Sequence, residues 1–332
     1  MKRKHINIAF ESVILIFAIV ACILFIIALL SILVSCSNDL EPNQPLETII
    51  ENKQFYQLFL NGDSREYIVY VPSHYDTLKT YPLVFQLHGS SGNGEKFYNI
   101  SGWNELAEEH KYIAVYPTSY VYDLKLNGCG NDLVTKWNNY NLLKEICSTE
   151  ILRNDTAFFD LMIEELKATY NIDESRIYMS GFSNGSGMTS RLAVELSDKI
   201  TAIGGLAGFL PEDTIYTPKH IVPLHIMLGT TDEKIVPRTI FNDTIPMNFQ
   251  QMFTDPTLNG ITKTYINTFD LNPNYTVTDS THYTLTATFR GNSGNPDHIM
   301  KFTLWKDLGH FFPNPYDSPG AADVLWKFFE KY

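Results

Sequence analysis

Hydrophobic positions along this chain fall into two regimes. From Val13 to Val34 every residue is apolar or small. Beyond residue 52, short apolar runs alternate with stretches of helical periodicity. Phe55–Leu60 and Arg65–Val71 are β-rich and flank Asn61-Gly62, a dipeptide that favours a tight hairpin because both residues tolerate positive φ. Tyr81–Leu87 is apolar but for Gln86, too continuous for a half-exposed strand, as expected of a buried strand in a mostly parallel sheet. A loop, His88 to Gly94, follows it. Trp103–His110 predicts a helix and Tyr112–Tyr116 a strand stopped by Pro117. Residues 118–150 read as irregular and polar. Asp155 is expected to cap a helix to about Tyr170, with Phe158, Leu161, Met162 and Leu166 as its buried face. Strands are expected at Arg176–Ser180, Ile200–Leu206, Leu224–Leu228 and Ile299–Trp305, and helices at Gly187–Leu196 and Ala322–Tyr332. Strands alternating with helices imply right-handed βαβ units. The expected architecture is α/β, one domain over 52–332, with a mostly parallel sheet and helices on both faces.

The apolar run at the start changes the picture of where this domain works. Lys2, Arg3 and Lys4 precede it, and Leu33-Val34-Ser35-Cys36 ends it. That tetrapeptide resembles a bacterial lipobox, in which the chain is cut before the cysteine and the cysteine carries lipid. Residues 1–36 are therefore expected to be a signal segment with Cys36 as the lipidation site. The alternative is an uncleaved anchor, since 22 apolar residues can span a bilayer. Both place the body outside the cytoplasm, tethered to the membrane. Residues 37–51, polar with Pro42 and Pro45, read as a flexible tether.

The formal net charge of −12 and the absence of a basic run argue against nucleic acid as a partner. Of the four cysteines, Cys22 leaves with a signal segment and Cys36 would be acylated. Cys129 and Cys147 remain, to pair in an oxidising compartment or to stay as buried thiols. No CxxC or clustered His/Cys spacing suggests a metal, and no cofactor is expected.

Chemistry concentrates at Gly181-Phe182-Ser183-Asn184-Gly185, a G-x-S-x-G between an expected strand and an expected helix. This spacing suits a sharp turn that exposes the serine hydroxyl, because glycines two before and two after it remove Cβ atoms from the crossing. A serine needs a base, and the base needs an orienting acid, in the chain order Ser, acid, His. His310 lies just after the last strand, at the carboxyl edge of the sheet. His225 falls inside an apolar strand, and His282 and His298 fall in a polar insertion. Asp232 follows the Leu224–Leu228 strand at the same edge, with Glu233 and Asp255 as alternatives. Two backbone N–H groups would form the oxyanion hole: Asn184, and Ser90 with Ser91 second. His88 reads as a brace for that loop. The insertion, residues 239–298, is rich in Asn, Thr and Pro with a β-rich patch at Tyr283–Phe289. It is expected either to cap the site with aromatics such as Phe249 and Phe253, or to be a packed surface excursion.

Four segments together resemble the secreted polyhydroxybutyrate-depolymerase and feruloyl-esterase family of α/β-hydrolases. They are Leu87-His88-Gly89, Tyr170-Asn171-Ile172-Asp173 leading into the serine motif, Gly229-Thr230-Thr231-Asp232 with Val236-Pro237, and Gly309-His310 with Pro313. The resemblance spans roughly Tyr67 to Tyr332. It implies an α/β-hydrolase fold and a Ser183–His310–Asp232 triad. It also implies an ester substrate, with polyester and acyl- or feruloyl-decorated polysaccharide as the expected classes. Departures include Gly185-Ser186-Gly187-Met188, one residue longer than the usual Gly-Gly-Met, and Phe311-Phe312 where a tryptophan is common. The other functions weighed are a serine peptidase and an inactive hydrolase-like glycan-binding lipoprotein.

Overall fold

Asn61 at φ 54° and Gly62 at φ 89° turn the chain back on itself through the left-handed region. They close a hairpin between β1 (Lys53–Leu60) and β2 (Asp63–Tyr70), in register from Leu60 opposite Asp63 to Lys53 opposite Tyr70. The remaining strands are β3 (Tyr81–Leu87), β4 (Ile113–Pro117), β5 (Tyr120–Asp123), β6 (Leu133–Lys136), β7 (Ile172–Phe182), β8 (Ala202–Leu206), β9 (Leu224–Gly229), β10 (Leu271–Ser280), β11 (Thr284–Gly291) and β12 (Ile299–Trp305). Helices are α1 (Gly94–Ile100), α2 (Trp103–His110), α3 (Leu142–Glu145), α4 (Asp155–Thr169), α5 (Asn184–Glu195), α6 (Phe249–Met252), α7 (Pro256–Thr268) and α8 (Ala321–Phe329). This computed structural model describes residues 52–212, 214–317 and 319–332. Expectations for 1–51, Cys36 included, lie outside the described residues. Among those described, no helix is long and apolar enough to cross a membrane.

Ten strands form one sheet in the order β1-β2-β4-β3-β7-β8-β9-β12-β11-β10. The six central strands, β4 to β12 in that order, pair in parallel. Antiparallel pairs extend both edges. Every residue of β3, β4, β8 and β9 is buried, as parallel strands covered on both faces require. Alternation divides them between two cores. Leu83, Phe85 and Leu87 pack with Phe158, Met162 and Leu192 of α4 and α5 on one face. Val84 packs with Trp103 of α2 and with Leu325 and Phe329 of α8 on the other. This is the α/β-hydrolase arrangement expected from the sequence.

Several local expectations are corrected. Asn154, not Asp155, caps α4, accepting from the Ala157 N–H at 3.0 Å. Asp155 is instead fully buried and paired with Arg65 at 2.9 Å. Leu161 faces outward, and Phe159 and Ile163 take its place in the core. The segment 118–150 is not irregular. It holds the β5–β6 hairpin and α3, and Cys129 is bonded to Cys147. The insertion holds α6 and α7 and lengthens the sheet through β10 and β11. Phe249 is buried and its ring lies 5.7 Å from Tyr275 and 6.1 Å from Phe302, so it serves packing.

His225 is buried on β9 with Nε2 2.9 Å from the Thr303 hydroxyl, and burial pushes its pKa down to about 3. Unfolding would free this imidazole to take a proton near its ordinary value of 6.5. Its folded pKa is depressed, so the stability is present above that value and is lost as pH falls toward the folded value. The melting temperature should therefore drop between about pH 7 and about pH 5, and His225→Gln should flatten that slope. Calorimetric scans across this range check it. Parallel slopes in the two proteins would remove His225 from the account.

Candidate active site

The serine motif sits where β7 runs into α5. Ser183 adopts φ 53° and ψ −121°, a conformation that costs an L-residue about 1–3 kcal/mol. Close packing enforces it. A Cβ on Gly181 would meet the Gly185 carbonyl oxygen at 2.5 Å, and one on Gly185 would meet the His88 carbonyl oxygen at 2.5 Å. Only glycine at both positions lets helix, strand and the β3 loop cross this closely. The Ser183 N–H donates to the Leu206 carbonyl at 2.8 Å, tying the turn to β8.

Asp232 and His310 arrive at the same edge from β9 and β12, which are neighbours in the sheet. The Ser183 hydroxyl lies 2.9 Å from His310 Nε2, and His310 Nδ1 lies 2.8 Å from Asp232 Oδ2. Asp232 is fully buried. Its other oxygen accepts from the N–H groups of Lys234 at 2.9 Å and Ile235 at 3.1 Å, which fixes the carboxylate plane. The His310 loop is held separately, because the Asp307 N–H donates to the Thr230 hydroxyl at 2.8 Å. The alternatives for the acid have other work. Glu233 accepts from the His310 backbone N–H at 2.9 Å, a bond that holds its carboxyl below its ordinary pKa. Asp255 caps α7 through Leu258 N–H at 2.7 Å. His282 meets Tyr283 edge-on, and His298 is buried against the Phe269 carbonyl.

Asn184 is the first residue of α5, directly after Ser183. The Ser91 N–H is donated to Thr135 at 3.0 Å. The Ser90 N–H has no acceptor among the described residues. His88 braces this loop: Nε2 accepts from the Ser119 N–H at 3.0 Å, and Nδ1 is 2.7 Å from the Gly89 carbonyl. Burial lowers its pKa to about 4, so the ring is neutral, donates through Nδ1 and accepts through Nε2.

Three supports were not legible from sequence. The Asn184 side chain is doubly bonded to the Trp137 backbone, accepting from its N–H at 2.6 Å and donating to its carbonyl at 3.1 Å. The Trp137 indole donates to the His88 carbonyl at 2.9 Å. Phe182, the variable residue of the motif, lies 4.9 Å from the His310 ring and is backed by Phe97 and Phe312. Each is a contact between residues distant in sequence, which gives no signal for such a role until the fold is known.

These groups open on a cleft of about 1120 Å³. One wall is built by the β5–β6 hairpin and α3, including Leu124, Leu126 and Val134. The insertion contributes Ile261, and none of Phe241, Phe249, Phe253, Tyr265, Tyr275 or Tyr283 is among the described lining residues. Asp123, Cys129 and Cys147 offer atoms within 4.8 Å of one another, but the thiols are joined as a disulfide and do not offer a thiolate pair.

A profile of the phospholipase/carboxylesterase family matches residues 76–247, just over half of the sequence, and the chain belongs to that family. Similar curated proteins include a bifunctional acetylxylan esterase/xylanase of Neocallimastix patriciarum, 25% identical over 82% of this chain and 34% of the relative. A probable feruloyl esterase C of Aspergillus terreus is 30% identical over 45% of this chain and 48% of the relative. The poly(3-hydroxyalkanoate) depolymerase C of Paucimonas lemoignei is 29% identical over 38% and 28%. The chain thus spans about a third to a half of the first two relatives. Among solved structures, the acetyl xylan esterase from Aspergillus awamori superposes with a TM-score of 0.54 at 15% identity, covering 83% of this chain and 99% of that one, a likeness of fold.

The disulfide closes the cleft wall over a sequence separation of 18 residues. Replacing both cysteines, as in Cys129→Ser with Cys147→Ser, should cost about 3 kcal/mol of stability by the loop-entropy argument. Urea titration of the two proteins measures this. A loss under about 0.5 kcal/mol would show that the wall is held by its packing alone.

Proposed function

We propose that this protein hydrolyses carboxylic esters through an acyl-enzyme formed on Ser183. The observation that carries the reading is the unbroken line of contacts from the Ser183 hydroxyl to His310 and on to buried Asp232, at 2.9 and 2.8 Å. His310 takes the hydroxyl proton as Ser183 attacks the ester carbonyl. Asp232 holds the Nδ1–H tautomer and stabilises the imidazolium. The Asn184 and Ser90 N–H groups receive the negative charge on the tetrahedral oxygen. His310 then returns its proton to the departing alcohol, leaving the acyl group on Ser183. Water, deprotonated by His310, attacks that acyl group, and the Ser183 oxygen departs taking the proton from His310 as the acid is released.

The substrates proposed are esters carried on polymers, as acyl groups on a polysaccharide or as a polyester. Relatives named for acetylxylan, feruloyl groups and poly(3-hydroxyalkanoate) share that feature, and the cleft is large for a short acyl ester alone. The proposed location is outside the cytoplasm, tethered by lipid on Cys36. The apolar run, Leu33-Val34-Ser35-Cys36 and a disulfide suited to an oxidising compartment support this.

Ser183→Ala should lower kcat for p-nitrophenyl acetate by about 10³- to 10⁶-fold with melting temperature nearly unchanged, and Asp232→Asn by about 10⁴-fold. Wild-type protein should take a fluorophosphonate label and the alanine variant should not. Retained turnover in Ser183→Ala, or hydrolysis of a peptide in preference to the ester, would overturn the reading. Cys36→Ala should abolish incorporation of labelled fatty acid into the full chain, and persistent labelling would move the lipid elsewhere.

A further inference from the structure

The chain as a whole is acidic, yet the groove beside Ser183 is not. Lys125, Lys136 and Lys144 line it from the hairpin-and-α3 wall. Lys234 and Arg238 line it from the turn that follows Asp232. Two carboxylates line it as well. Glu145 is ion-paired with Lys136, and Glu212 lies 3.5 Å from Arg238. Glu233 stands next to the groove, stays ionised while accepting from the His310 N–H, and attracts Lys234. Lys125 and Lys234 are exposed and form no ion pair among the described residues. Two segments far apart in sequence therefore bring five cations, against two lining carboxylates, to one groove of a protein whose formal net charge is −12.

Such a concentration against the sign of the whole molecule has a direction. A groove walled by protein focuses the field of its lysines and raises the local concentration of anions, while the acidic exterior repels them elsewhere. Neutral esters gain nothing from this arrangement. A lysine ammonium is a flexible point charge, suited to carboxylates spaced irregularly along a chain rather than to one fixed bidentate contact. The mixed apolar and polar lining, with Leu124, Leu126 and Val134 beside the lysines, suits sugar rings bearing such groups.

Resting on the esterase reading above, we propose that the natural ester is borne on an acidic polysaccharide, whose carboxylates lie against Lys125 and Lys234 when its ester group reaches Ser183.

The test uses the full chain and an acetylated glucuronic-acid-bearing xylan. The comparison polymer is the same material with its carboxylates reduced to alcohols, and a third arm is an acetylated polymer carrying sulfates. At low salt kcat/KM should favour the carboxylated polymer over the reduced one by about 10-fold, the effect of two partly screened charge pairs. Raising salt from about 0.01 M to about 0.5 M should remove most of that preference, because the Debye length shrinks several-fold. Lys125→Gln with Lys234→Gln should bring the ratio within about 3-fold at low salt. Equal rates on the carboxylated and reduced polymers would overturn the proposal, as would a preference that survives both salt and the double variant. Sulfated polymer turned over as well as the carboxylated one would overturn its assignment to carboxylates. Failure to hydrolyse any ester, p-nitrophenyl acetate included, would be a failure of the esterase reading instead. Affinity electrophoresis of Ser183→Ala protein then decides the charge question alone: retardation by the carboxylated polymer and not the reduced one supports it, and equal mobility in both overturns it.

Discussion

Everything at the catalytic edge depends on holding Ser183 in a backbone conformation it would not choose. At φ 53° and ψ −121° the residue stores strain, and the neighbours supply what offsets it. The Ser183 N–H is bonded to β8, and the Gly181 and Gly185 backbones are pressed against α5 and the β3 loop. The Asn184 amide is fastened to Trp137, whose indole reaches the carbonyl of His88. His88 in turn is kept neutral by burial and fixes the loop that carries Ser90. The chain of dependence runs from a strained turn, through two side-chain clamps, to the loop across from it.

That arrangement also accounts for polar groups in a core that should have none. Gln86 is buried in β3, yet it accepts from the Trp103 indole at 2.7 Å and from the Ser180 hydroxyl at 2.6 Å. Asp155 is buried with Arg65 and accepts from the Asn138 N–H at 2.7 Å. Desolvation raises the Asp155 pKa while Arg65 opposes it. Buried polar groups persist where they are paired or hydrogen-bonded, although Arg65 Nε itself is buried without an acceptor, and both of these clusters anchor segments that lead to the serine turn.

The sheet was legible because its signal is local. Predominantly apolar runs at Tyr81–Leu87 and Ile299–Trp305 match β3 and β12, since strands covered on both faces show little of the regular polar alternation of a half-exposed strand. The serine turn was legible because glycine spacing is forced by contact. The hairpin and short helix within 118–150 were missed because their order comes from Cys129–Cys147 and from nonlocal bonds such as the Lys125 N–H to the Glu145 carbonyl. Leu161 was misassigned because helical periodicity alone does not say which edge of an apolar stripe meets the core. The basic groove was invisible for a simpler reason. Its lysines are scattered through an acidic sequence, and only folding assembles them.

Asp232 and His310 are 78 residues apart, yet the strands that deliver them, β9 and β12, lie side by side. The chain leaves the edge after Asp232, folds α6, α7, β10 and β11, and returns to that same edge. The hydrogen bonds from Asp307 to Thr230 and from Thr231 to Leu308 close this excursion at its neck. The Ile245 N–H also donates to the Thr230 carbonyl at 2.8 Å, and β11 pairs with β12, so the excursion is tied to both strands that carry Asp232 and His310. A load applied within the excursion is therefore shared between the neck and the β11–β12 ladder before it reaches either side chain.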